Sequence, residues 1–374
     1  MIIGVLKEAN SDNRVSVTPD SVTDLLKKKT EVLVEKNAGQ NAFISDTDYI
    51  NAGAVVTSRS EILKNASVII VVNPPDIKEI ESLSSDKVII GALDPFVNVG
   101  LVKKLVNKNI TSFSLELVPR ITRAQNMDIL SSMATIAGYK AVLDAAMHLP
   151  KFFPMFMSAA GTIRPAKVLI IGAGVAGLQA IAVSRKLGAV VEVFDVRSAV
   201  KEEVESLGAK FIEVEGATED RTAGGYAVEQ TKEYRQKQNQ LIHDHAIKSN
   251  VVICTAQIPG KKAPLLITKD TVDHMMQGSV IIDLAVSTGG NCELSNIEKT
   301  IKYKGITIIG NSVYPSEMPS DASAMFGRNV TNFLKLLISE EGEFHLNFED
   351  EIVKGTCLTH KGAVVNERVK TLIS

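Results

Sequence analysis

The sequence predicts an α/β protein of two domains, each built on a mostly parallel sheet. Three observations support this prediction: a length of 374 residues, an ordinary globular composition, and short β-rich segments that alternate with longer helical patterns. The length is well above the roughly 100–200 residues of one ordinary domain, which favours two separate cores. Alternating strands and helices are typical of βαβ units, because parallel strands need a crossover between them.

The composition excludes several classes of function. Hydrophobic residues make up 45% of the chain and charged residues 22%, which is enough apolar surface for packed interiors. Lys+Arg at 41 against Asp+Glu at 43 gives a formal net charge of -2, so no overall basic field attracts nucleic acid or an acidic membrane. Cys254, Cys292 and Cys357 have no paired spacing, which argues against a disulfide framework and a cysteine-rich zinc site.

The apolar stretches are too short for a transmembrane helix. The longest ones, VIIVV at 68–72 and FFPMFMSAAG at 152–161, fall far below the roughly 18–20 residues that cross a bilayer. The first charges, Lys7 and Glu8, follow too few apolar residues for a secretory signal. We therefore expect a soluble, cytoplasmic chain with no nucleic-acid partner and no direct membrane insertion.

The N-terminal third of the chain contains one series of strands. Six segments rich in valine and isoleucine are predicted as strands: 2–6, 31–35, 54–57, 67–72, 87–93 and 110–116. Helical patterns at 21–29 and 99–108 lie between them.

A second series of strands follows a long helical segment. Residues from Gln125 to about Leu149 show no strand-like alternation and no proline, so they predict one helix that joins the two series. The second series is predicted at 167–172, 190–195, 251–256, 279–285 and 306–310. Residues 323–340 again predict a helix, and 343–365 predict short strands or hairpins that return to the first domain. The predicted domains are 1–133 with 317–374, and 134–316.

The sharpest motif is a glycine-rich turn between a strand and a helix. The strand at 167–172 leads into Gly172-Ala173-Gly174-Val175-Ala176-Gly177, which opens a helix, and a second strand ends at Asp195. Gly172 permits a tight turn, Gly174 permits close approach of a pyrophosphate, and Gly177 permits close helix–strand packing. The amides at the helix N-terminus then face the phosphates, so the pattern predicts a Rossmann-like dinucleotide site.

The acidic residue after the second strand indicates which dinucleotide is bound. A carboxylate at Asp195 accepts hydrogen bonds from the adenosine ribose and repels a 2′-phosphate, which favours NAD over NADP. Arg197, two residues later, tempers this preference. The alternative is that the glycines only allow the backbone to turn and pack closely and bind no ligand.

Polar residues recur along the predicted connecting helix. At 100° per residue, five of them fall within about a third of the helix circumference: Gln125, Asp128, Ser131, Ser132 and Thr135. Arg120 and Arg123 precede the stripe. A solvated face is the simpler interpretation from spacing alone, but the helix joins two domains, and pockets are frequent at domain interfaces. An arginine, an amide, a carboxylate and a hydroxyl are the groups that a nicotinamide carboxamide and its ribose need.

Two further features bear on the chemistry. Gly224-Gly225-Tyr226 lies in a very polar stretch and predicts either a hinged loop that closes over a flat cofactor or an ordinary exposed turn. His243 and His245 are two residues apart and make a poor chelate on a helix, so we expect no metal site.

A dehydrogenase acting on a small hydroxy or amino acid needs a group that moves a proton, usually histidine or lysine. Neither residue type occurs in VVNPPD (71–76), GALDPF (91–96) or the polar stripe. This absence favours hydride transfer without proton transfer.

Several segments together resemble a known family over nearly the whole length. They are PRITRAQNMDILSS (119–132), MFMSAAGTIRPAKVLIIGAGVAGLQAIA (155–182), VESLGAKFIEV (204–214), TAGGYA (222–227), IPGKKAPLLIT (258–268), SVIIDLAVSTGGNCE (279–293) and VKGTC (353–357). With these segments the chain resembles the soluble NAD(H)-binding region of the alpha subunit of proton-translocating NAD(P) transhydrogenase.

The resemblance implies two Rossmann-like domains joined by long helices, with the NAD cleft between them. It implies hydride exchange of the Si-specific/Re type, in which NADH bound here reduces NADP⁺ held by the beta subunit, coupled to proton translocation. It also implies a homodimer that is attached peripherally to the inner membrane through membrane-spanning partner subunits.

The same resemblance assigns site residues. Arg120, Gln125, Asp128 and Ser131 are expected around the nicotinamide, and Tyr226 at the tip of a mobile loop. The expected cofactor-binding set comprises Gly172, Gly174, Val175, Ala176, Gly177, Asp195, Arg197, Gly225, Tyr226, Gln238 and Gln257. The chain departs from the family pattern at Gln257, where leucine is usual.

Two alternative functions share the glycine motif. Alanine dehydrogenase is similar in its opening segment, 7–19, and has a substrate-gripping arginine at the place of Arg14. It also needs a lysine near Asn73 and a histidine near 91–93, and this sequence has neither. A non-catalytic NAD-sensing module would bind NADH without exchanging hydride.

Overall fold

The computed structural model describes residues 1–9, 11–214, 231–257 and 260–373. The chain divides into two compact units, one of Met1–Met133 with Pro315–Ser374 and one of Ala134–Tyr314.

The strands of the described residues are numbered in chain order. They are β1 Ile2–Val5, β2 Glu31–Glu35, β3 Val55–Thr57, β4 Val68–Ile70, β5 Val88–Gly91, β6 Thr111–Ser114, β7 Phe156–Ser158, β8 Gly161–Ile163, β9 Lys167–Ile171, β10 Val190–Phe194, β11 Lys210–Ile212, β12 Val251–Cys254, β13 Val280–Asp283, β14 Lys299–Tyr303, β15 Ile306–Gly310, β16 Cys357–His360 and β17 Ala363–Val364.

The α-helices of the described residues are numbered in the same way. They are α1 Pro19–Leu26, α2 Asp46–Asn51, α3 Arg59–Asn65, α4 Ile77–Ser82, α5 Val99–Asn107, α6 Ile129–His148, α7 Val175–Lys186, α8 Lys201–Ser206, α9 Lys232–Ala246, α10 Lys269–His274, α11 Tyr314–Glu317, α12 Pro319–Leu334, α13 Glu351–Thr356 and α14 Glu367–Ile373.

The first unit contains a sheet of eight strands in the order β17-β16-β6-β5-β4-β1-β2-β3. The six strands from β1 to β6 are parallel. The C-terminal strand β16 pairs antiparallel with β6, with Cys357 opposite Phe113, so the tail of the chain extends the first sheet.

The second unit contains a sheet of seven strands in the order β11-β10-β9-β12-β13-β15-β14. Omitting the antiparallel edge strand β14, this is the doubly wound 3-2-1-4-5-6 arrangement of a dinucleotide-binding fold. Val168 and Ile170 of β9 point into one core cluster, and Leu169 and Ile171 point into the other. Burial on both faces explains why residues 168–171 are all apolar.

The predicted fold class is confirmed, and the strands of both predicted series are present. The sequence patterns missed β11, β14 and the small two-stranded sheet of β7 and β8. The helix predicted at 323–340 lies at Pro319–Leu334 and begins with proline at its first position, which the fixed φ of proline favours.

The connecting helix does not begin at Gln125 as predicted. Residues Thr122–Met127 form a 3-10 helix, Asp128 is extended at φ -78° and ψ 95°, and α6 begins at Ile129. Asp128 caps α6, because its Oδ1 accepts the backbone N–H of Ser131 at 2.9 Å. Gln125 and Asp128 therefore do not share a helical stripe with Ser131.

Within the described ranges, no helix combines the length and the apolar character that crossing a bilayer requires.

Candidate functional site

The strand β9 of the second unit ends in a left-handed turn at the start of α7. Gly172 has φ +100°, a conformation that side-chain-bearing residues rarely adopt, and its N–H donates to the carbonyl of Phe194 at 2.8 Å. This is the tight turn that the first glycine of the motif was predicted to supply. Gly174 then occupies the N-cap of α7 with extended backbone angles.

The other two glycines of the motif differ in their surroundings. A Cβ added to Gly177 would lie 1.9 Å from the carbonyl oxygen of Gly172, so only glycine allows this approach of helix and strand. A Cβ on Gly174 would meet no heavy atom within 4 Å, and Gly174 and Val175 are exposed. The N-terminus of α7 is thus open to a ligand, and its amides and dipole favour a phosphate. These residues fit a dinucleotide pyrophosphate.

Asp195 follows β10 and is buried beside this turn. Its Oδ2 accepts the backbone N–H of Ala173 at 2.7 Å, which ties the acid to the glycine turn. Arg197 forms a two-pronged pair with the same carboxylate, Nε to Oδ1 at 2.9 Å and NH2 to Oδ2 at 2.7 Å. Hydrogen bonding to Asp195 raises the pKa of Arg197, so the guanidinium is a fixed positive charge.

The strand β12 lies beside β9, at the point where the strand order of the sheet reverses. In doubly wound sheets, ligands bind at this edge, beyond the carboxyl ends of the strands. Thr255 follows β12, and its hydroxyl donates to the carbonyl of Gly172 at 3.0 Å, so the two neighbouring loops are joined.

A buried asparagine holds the loop after β12. The side chain of Asn291 accepts from the N–H of Ala256 at 3.1 Å and donates to the carbonyls of Ala256 and Pro264 at 2.9 and 2.8 Å. Asp283, at the end of β13, in turn accepts the N–H of Asn291 at 2.9 Å and the Ser295 hydroxyl at 2.6 Å. Sequence reasoning missed this pair, although GGN after a buried strand was a signal for a tight, polar-anchored loop.

The remaining predicted residues of the second unit have distinct positions. Gln238 is buried on the inward face of α9, on the same face as Tyr234 and Ile242. Gln257 is exposed, and its Nε2 donates to the Thr288 hydroxyl at 3.1 Å. The predicted loop residues Gly225 and Tyr226 lie outside the described residues.

The first unit contains the residues expected near the nicotinamide. Asp128 and Ser131 are brought together, with the Ser131 hydroxyl donating to Asp128 Oδ2 at 2.6 Å. Arg120 and Gln125 are exposed side chains before the helix. Arg123, also in the predicted stripe region, forms an exposed pair with Asp350 at 2.8 and 2.9 Å.

The segment that carries these residues is anchored by α12. The side-chain amides of Asn329 and Asn332 both donate to the carbonyl of Asn126, at 2.9 and 3.2 Å. These contacts position the 3-10 helix between Arg120 and Asp128. They could not be read from local sequence, because α12 follows about two hundred residues later in the chain.

A cluster of charges fills the equivalent edge of the first sheet, beyond β1 and β4. Arg14 is paired with Asp12, Nε to Oδ1 at 2.9 Å and NH2 to Oδ2 at 2.5 Å. The amide of Asn73 donates to Asp12 at 2.8 Å and to Glu8 at 3.0 Å. Burial raises the pKa of Glu8. Burial would also raise the pKa of Asp12, but the hydrogen bonds and charge of Arg14 bring it below its usual value.

Comparisons with known proteins agree with this arrangement. Residues 4–137 match the family model "Alanine dehydrogenase/PNT, N-terminal domain", and residues 141–367 match "Alanine dehydrogenase/PNT, C-terminal domain". The chain is 44% identical to an NAD(P) transhydrogenase subunit alpha polypeptide of Rhodospirillum rubrum over 376 residues, covering 98% of each chain. It belongs to the family of NAD(P) transhydrogenase alpha subunits.

Other members and relatives of this family are also similar to the chain over nearly its whole length. The chain is 41% identical to the corresponding alpha-subunit polypeptide of Rickettsia prowazekii over 98% of its length and 96% of the relative's. The solved structure of transhydrogenase from Sinorhizobium meliloti has a TM-score of 0.89 at 43% identity, covering 98% of this chain and 100% of that one. A solved L-alanine dehydrogenase shares the fold, with a TM-score of 0.82 at 23% identity, covering 100% of this chain and 99% of that one.

Proposed function

We propose that this chain is the NAD(H)-binding, hydride-donating component of a proton-translocating NAD(P) transhydrogenase. NADH bound here passes a hydride from its C4 to C4 of NADP⁺ held by a partner subunit. The products are NAD⁺ and NADPH, so two electrons and one proton move together as hydride. The observation that carries the proposal is the open N-terminus of α7 at Gly174, with Asp195 fixed beside it, in a chain of this family.

The pyrophosphate of NADH is proposed to bind the amides at the start of α7. The exposure of Gly174 and Val175 supports this, because the start of α7 is open to solvent while Gly177 is packed against the strand. Asp195 is proposed to accept the hydroxyls of the adenosine ribose and to disfavour a 2′-phosphate. The N–H of Ala173 and the guanidinium of Arg197 hold the carboxylate in place before the nucleotide arrives, and the ribose hydroxyls are proposed to replace contacts of Arg197.

The nicotinamide end is proposed to be served by Arg120, Gln125, Asp128 and Ser131. Asp128 and Ser131 form one hydrogen-bonded unit at the start of α6, which can present a carboxylate and a hydroxyl in fixed orientation. Gln238, Gln257, Gly225 and Tyr226 are further proposed nucleotide contacts. Catalysis then comes from positioning the ring and excluding water, since hydride transfer between two nicotinamides needs no covalent intermediate.

The cluster around Arg14 supports transhydrogenation over alanine oxidation. An arginine that grips a substrate carboxylate must have its guanidinium available. Here Asp12 already occupies Nε and NH2 of that guanidinium with three hydrogen bonds, and Asn73 is engaged by Glu8 and Asp12. We therefore expect no productive binding of pyruvate or alanine.

The functional assembly is proposed to be a homodimer that associates with membrane-spanning subunits and with the NADP(H)-binding beta subunit at the inner membrane. The hairpin of β7 and β8 supports the dimer, because all six of its strand residues are exposed and it includes Phe156 and Ile163. A lone two-stranded hairpin is marginally stable in water. A second copy of the chain would cover this apolar surface. Light scattering on the purified chain tests this, and a monomer at micromolar concentration would contradict it.

The activity is tested by mixing the chain with the purified NADP(H)-binding domain of a transhydrogenase. NADH and a thionicotinamide analogue of NADP⁺ are added, and reduction of the analogue is followed by stopped-flow absorbance. We expect rapid reduction only when both proteins are present. Tight NADH binding without any transfer would identify a nucleotide-sensing module instead.

A further inference from the structure

Two histidines that are distant in sequence meet on the surface of the second unit. His243 lies in α9, and His274 ends the short helix α10. Their rings are 5.7 Å apart between centroids, at an interplanar angle of 68°. Asp270 of α10 joins them, and one ligand atom from each of the three side chains lies within 4.8 Å of the other two. In the sequence, His243 is followed two residues later by His245, which instead pairs with Glu192 at 2.6 Å.

Hydrogen bonds already orient both imidazoles. His274 Nδ1 lies 2.8 Å from the backbone carbonyl of Asp270, which can only accept, so Nδ1 carries a proton and Nε2 is the nitrogen that can bind a metal in the neutral ring. His243 Nδ1 lies 3.0 Å from the hydroxyl of Thr271. Histidines that bind metals usually donate their second N–H to a carbonyl or another oxygen in this way, which fixes the ring.

We propose that His243, Asp270 and His274 form a binding site for one divalent transition-metal ion, with Zn²⁺ as the probe. Two imidazoles and one carboxylate suit zinc, nickel or copper and do not suit magnesium or calcium, which prefer sites made only of oxygen ligands. Three protein ligands leave the fourth tetrahedral position to water. None of the three ligands belongs to the residues proposed to bind the nucleotide.

The side chains have the freedom to close on an ion. Tetrahedral coordination at about 2.0–2.1 Å brings ligand atoms to roughly 3.3 Å from one another, so the observed spacing must shrink. The side chains of Asp270 and His274 are 74% and 60% exposed, and small rotations suffice. The bound ion would cross-link α9 to α10 and stabilise the folded chain, because an unfolded chain does not keep these ligands together.

The test is zinc titration of the full chain without a histidine tag, followed by calorimetry. We expect one Zn²⁺ per chain, and a loss of affinity of about tenfold or more in both His243→Ala and His274→Ala. His148→Ala is the matched control: His148 and Asp144 form the same i,i+4 arrangement, with Nδ1 3.0 Å from the Asp144 carbonyl. Its affinity should equal that of the unmodified chain.

A second readout is independent of calorimetry. Zn²⁺ should raise the Tm of the unmodified chain and of His148→Ala, and should not raise that of His274→Ala. Asp270→Asn, a surface change that keeps the helix, should weaken zinc binding and leave NADH binding unchanged. No zinc binding up to millimolar concentration would overturn the proposal, as would equal affinity in His274→Ala and His148→Ala. Neither result would bear on hydride transfer.

Discussion

The carboxylate of Asp195 lies 2.7 Å from the backbone N–H of Ala173, so the acid that follows β10 holds the glycine turn that follows β9. The same carboxylate pairs with Arg197. One buried side chain therefore shapes the turn and also immobilises a positive charge. The proposed preference for NADH depends on both contacts.

Replacing Asp195 should change nucleotide selection as well as affinity. In Asp195→Asn the negative charge is lost and Arg197 is released, so we expect about tenfold weaker NADH binding and a smaller preference over NADPH. Fluorescence titration with each nucleotide measures this. Glu213→Gln, an exposed change in the same unit, is the control. An unchanged ratio of the two affinities would remove Asp195 from the selection of nucleotide.

Substitutions at two glycines of the turn should affect different quantities, one the stability of the chain and the other NADH binding. Gly177→Ala places a Cβ 1.9 Å from the carbonyl of Gly172, so it should lower the free energy of unfolding by about 1–3 kcal/mol or more. Gly174→Ala meets no atom within 4 Å and has an ordinary φ of -79°, so it should fold normally but bind NADH poorly. Urea unfolding and NADH titration of both variants decide this. Normal NADH affinity in Gly174→Ala would argue against the pyrophosphate position.

Replacing Asn291 should affect both stability and NADH binding, although its side chain is buried. Asn291→Ala leaves the amide and carbonyl of Ala256 without their side-chain partner, at a cost of about 1–3 kcal/mol in stability. The loop after β12 should then be less ordered, and NADH affinity should fall. Asn65→Ala, at an exposed position of α3 in the first unit, is the comparison and should change neither stability nor NADH affinity. Full NADH affinity in a destabilised Asn291→Ala would show that the loop does not contribute.

Asp128 has a capping role that must be separated from its proposed role in transfer. Asp128→Ala should cost about 1 kcal/mol, because the N-cap of α6 is lost. Asp128→Asn retains a capping oxygen and should recover stability, yet hydride transfer should stay slow because the charge is missing. Unfolding and stopped-flow measurements on both variants distinguish the roles. Recovery of transfer in Asp128→Asn would show that capping explains the whole effect.

The pairing of Asp12 with Arg14 should appear in the pH dependence of stability. The pKa of Asp12 is lowered in the folded chain, so its stabilising contribution is complete above the unfolded pKa of about 3.9 and is lost as pH falls through the folded pKa. The free energy of unfolding of Asp12→Asn should therefore be lower than that of the unmodified chain by about 3 kcal/mol at pH 7. This difference should become smaller below about pH 4. A difference in the free energy of unfolding that stays constant down to about pH 3 would contradict the lowered pKa of Asp12.

Much of the fold was predictable because valine- and isoleucine-rich strands, glycine turns and helical spacing are local signals. The start of α6 was not predictable in this way, because the helical spacing of the sequence continued through Asp128. In the structure a 3-10 helix ends before Asp128, and the Asp128 side chain caps α6. An aspartate directly before an apolar helical stretch is a capping signal that competes with periodicity.

The candidate site could be predicted only where its residues lie close together in sequence. The turn from Gly172 to Gly177 and its acid Asp195 belong to one βαβ unit, so spacing alone pointed to them. The contacts of Asn291 with Ala256 and of His243 with His274 join separate elements of the second unit. Such pairs arise from the order of strands in the sheet, which no local pattern encodes.

Hydride is proposed to pass directly from NADH on this chain to NADP⁺ on a partner. The most direct test uses NADH carrying deuterium at both C4 positions, mixed with this chain, the NADP(H)-binding domain and NADP⁺, with the products analysed by mass spectrometry. We expect one deuterium in each NADPH formed, and no NADH oxidation when pyruvate and ammonia replace NADP⁺ and the partner. NADPH without deuterium, or deuterated alanine from pyruvate and ammonia, would contradict this proposal.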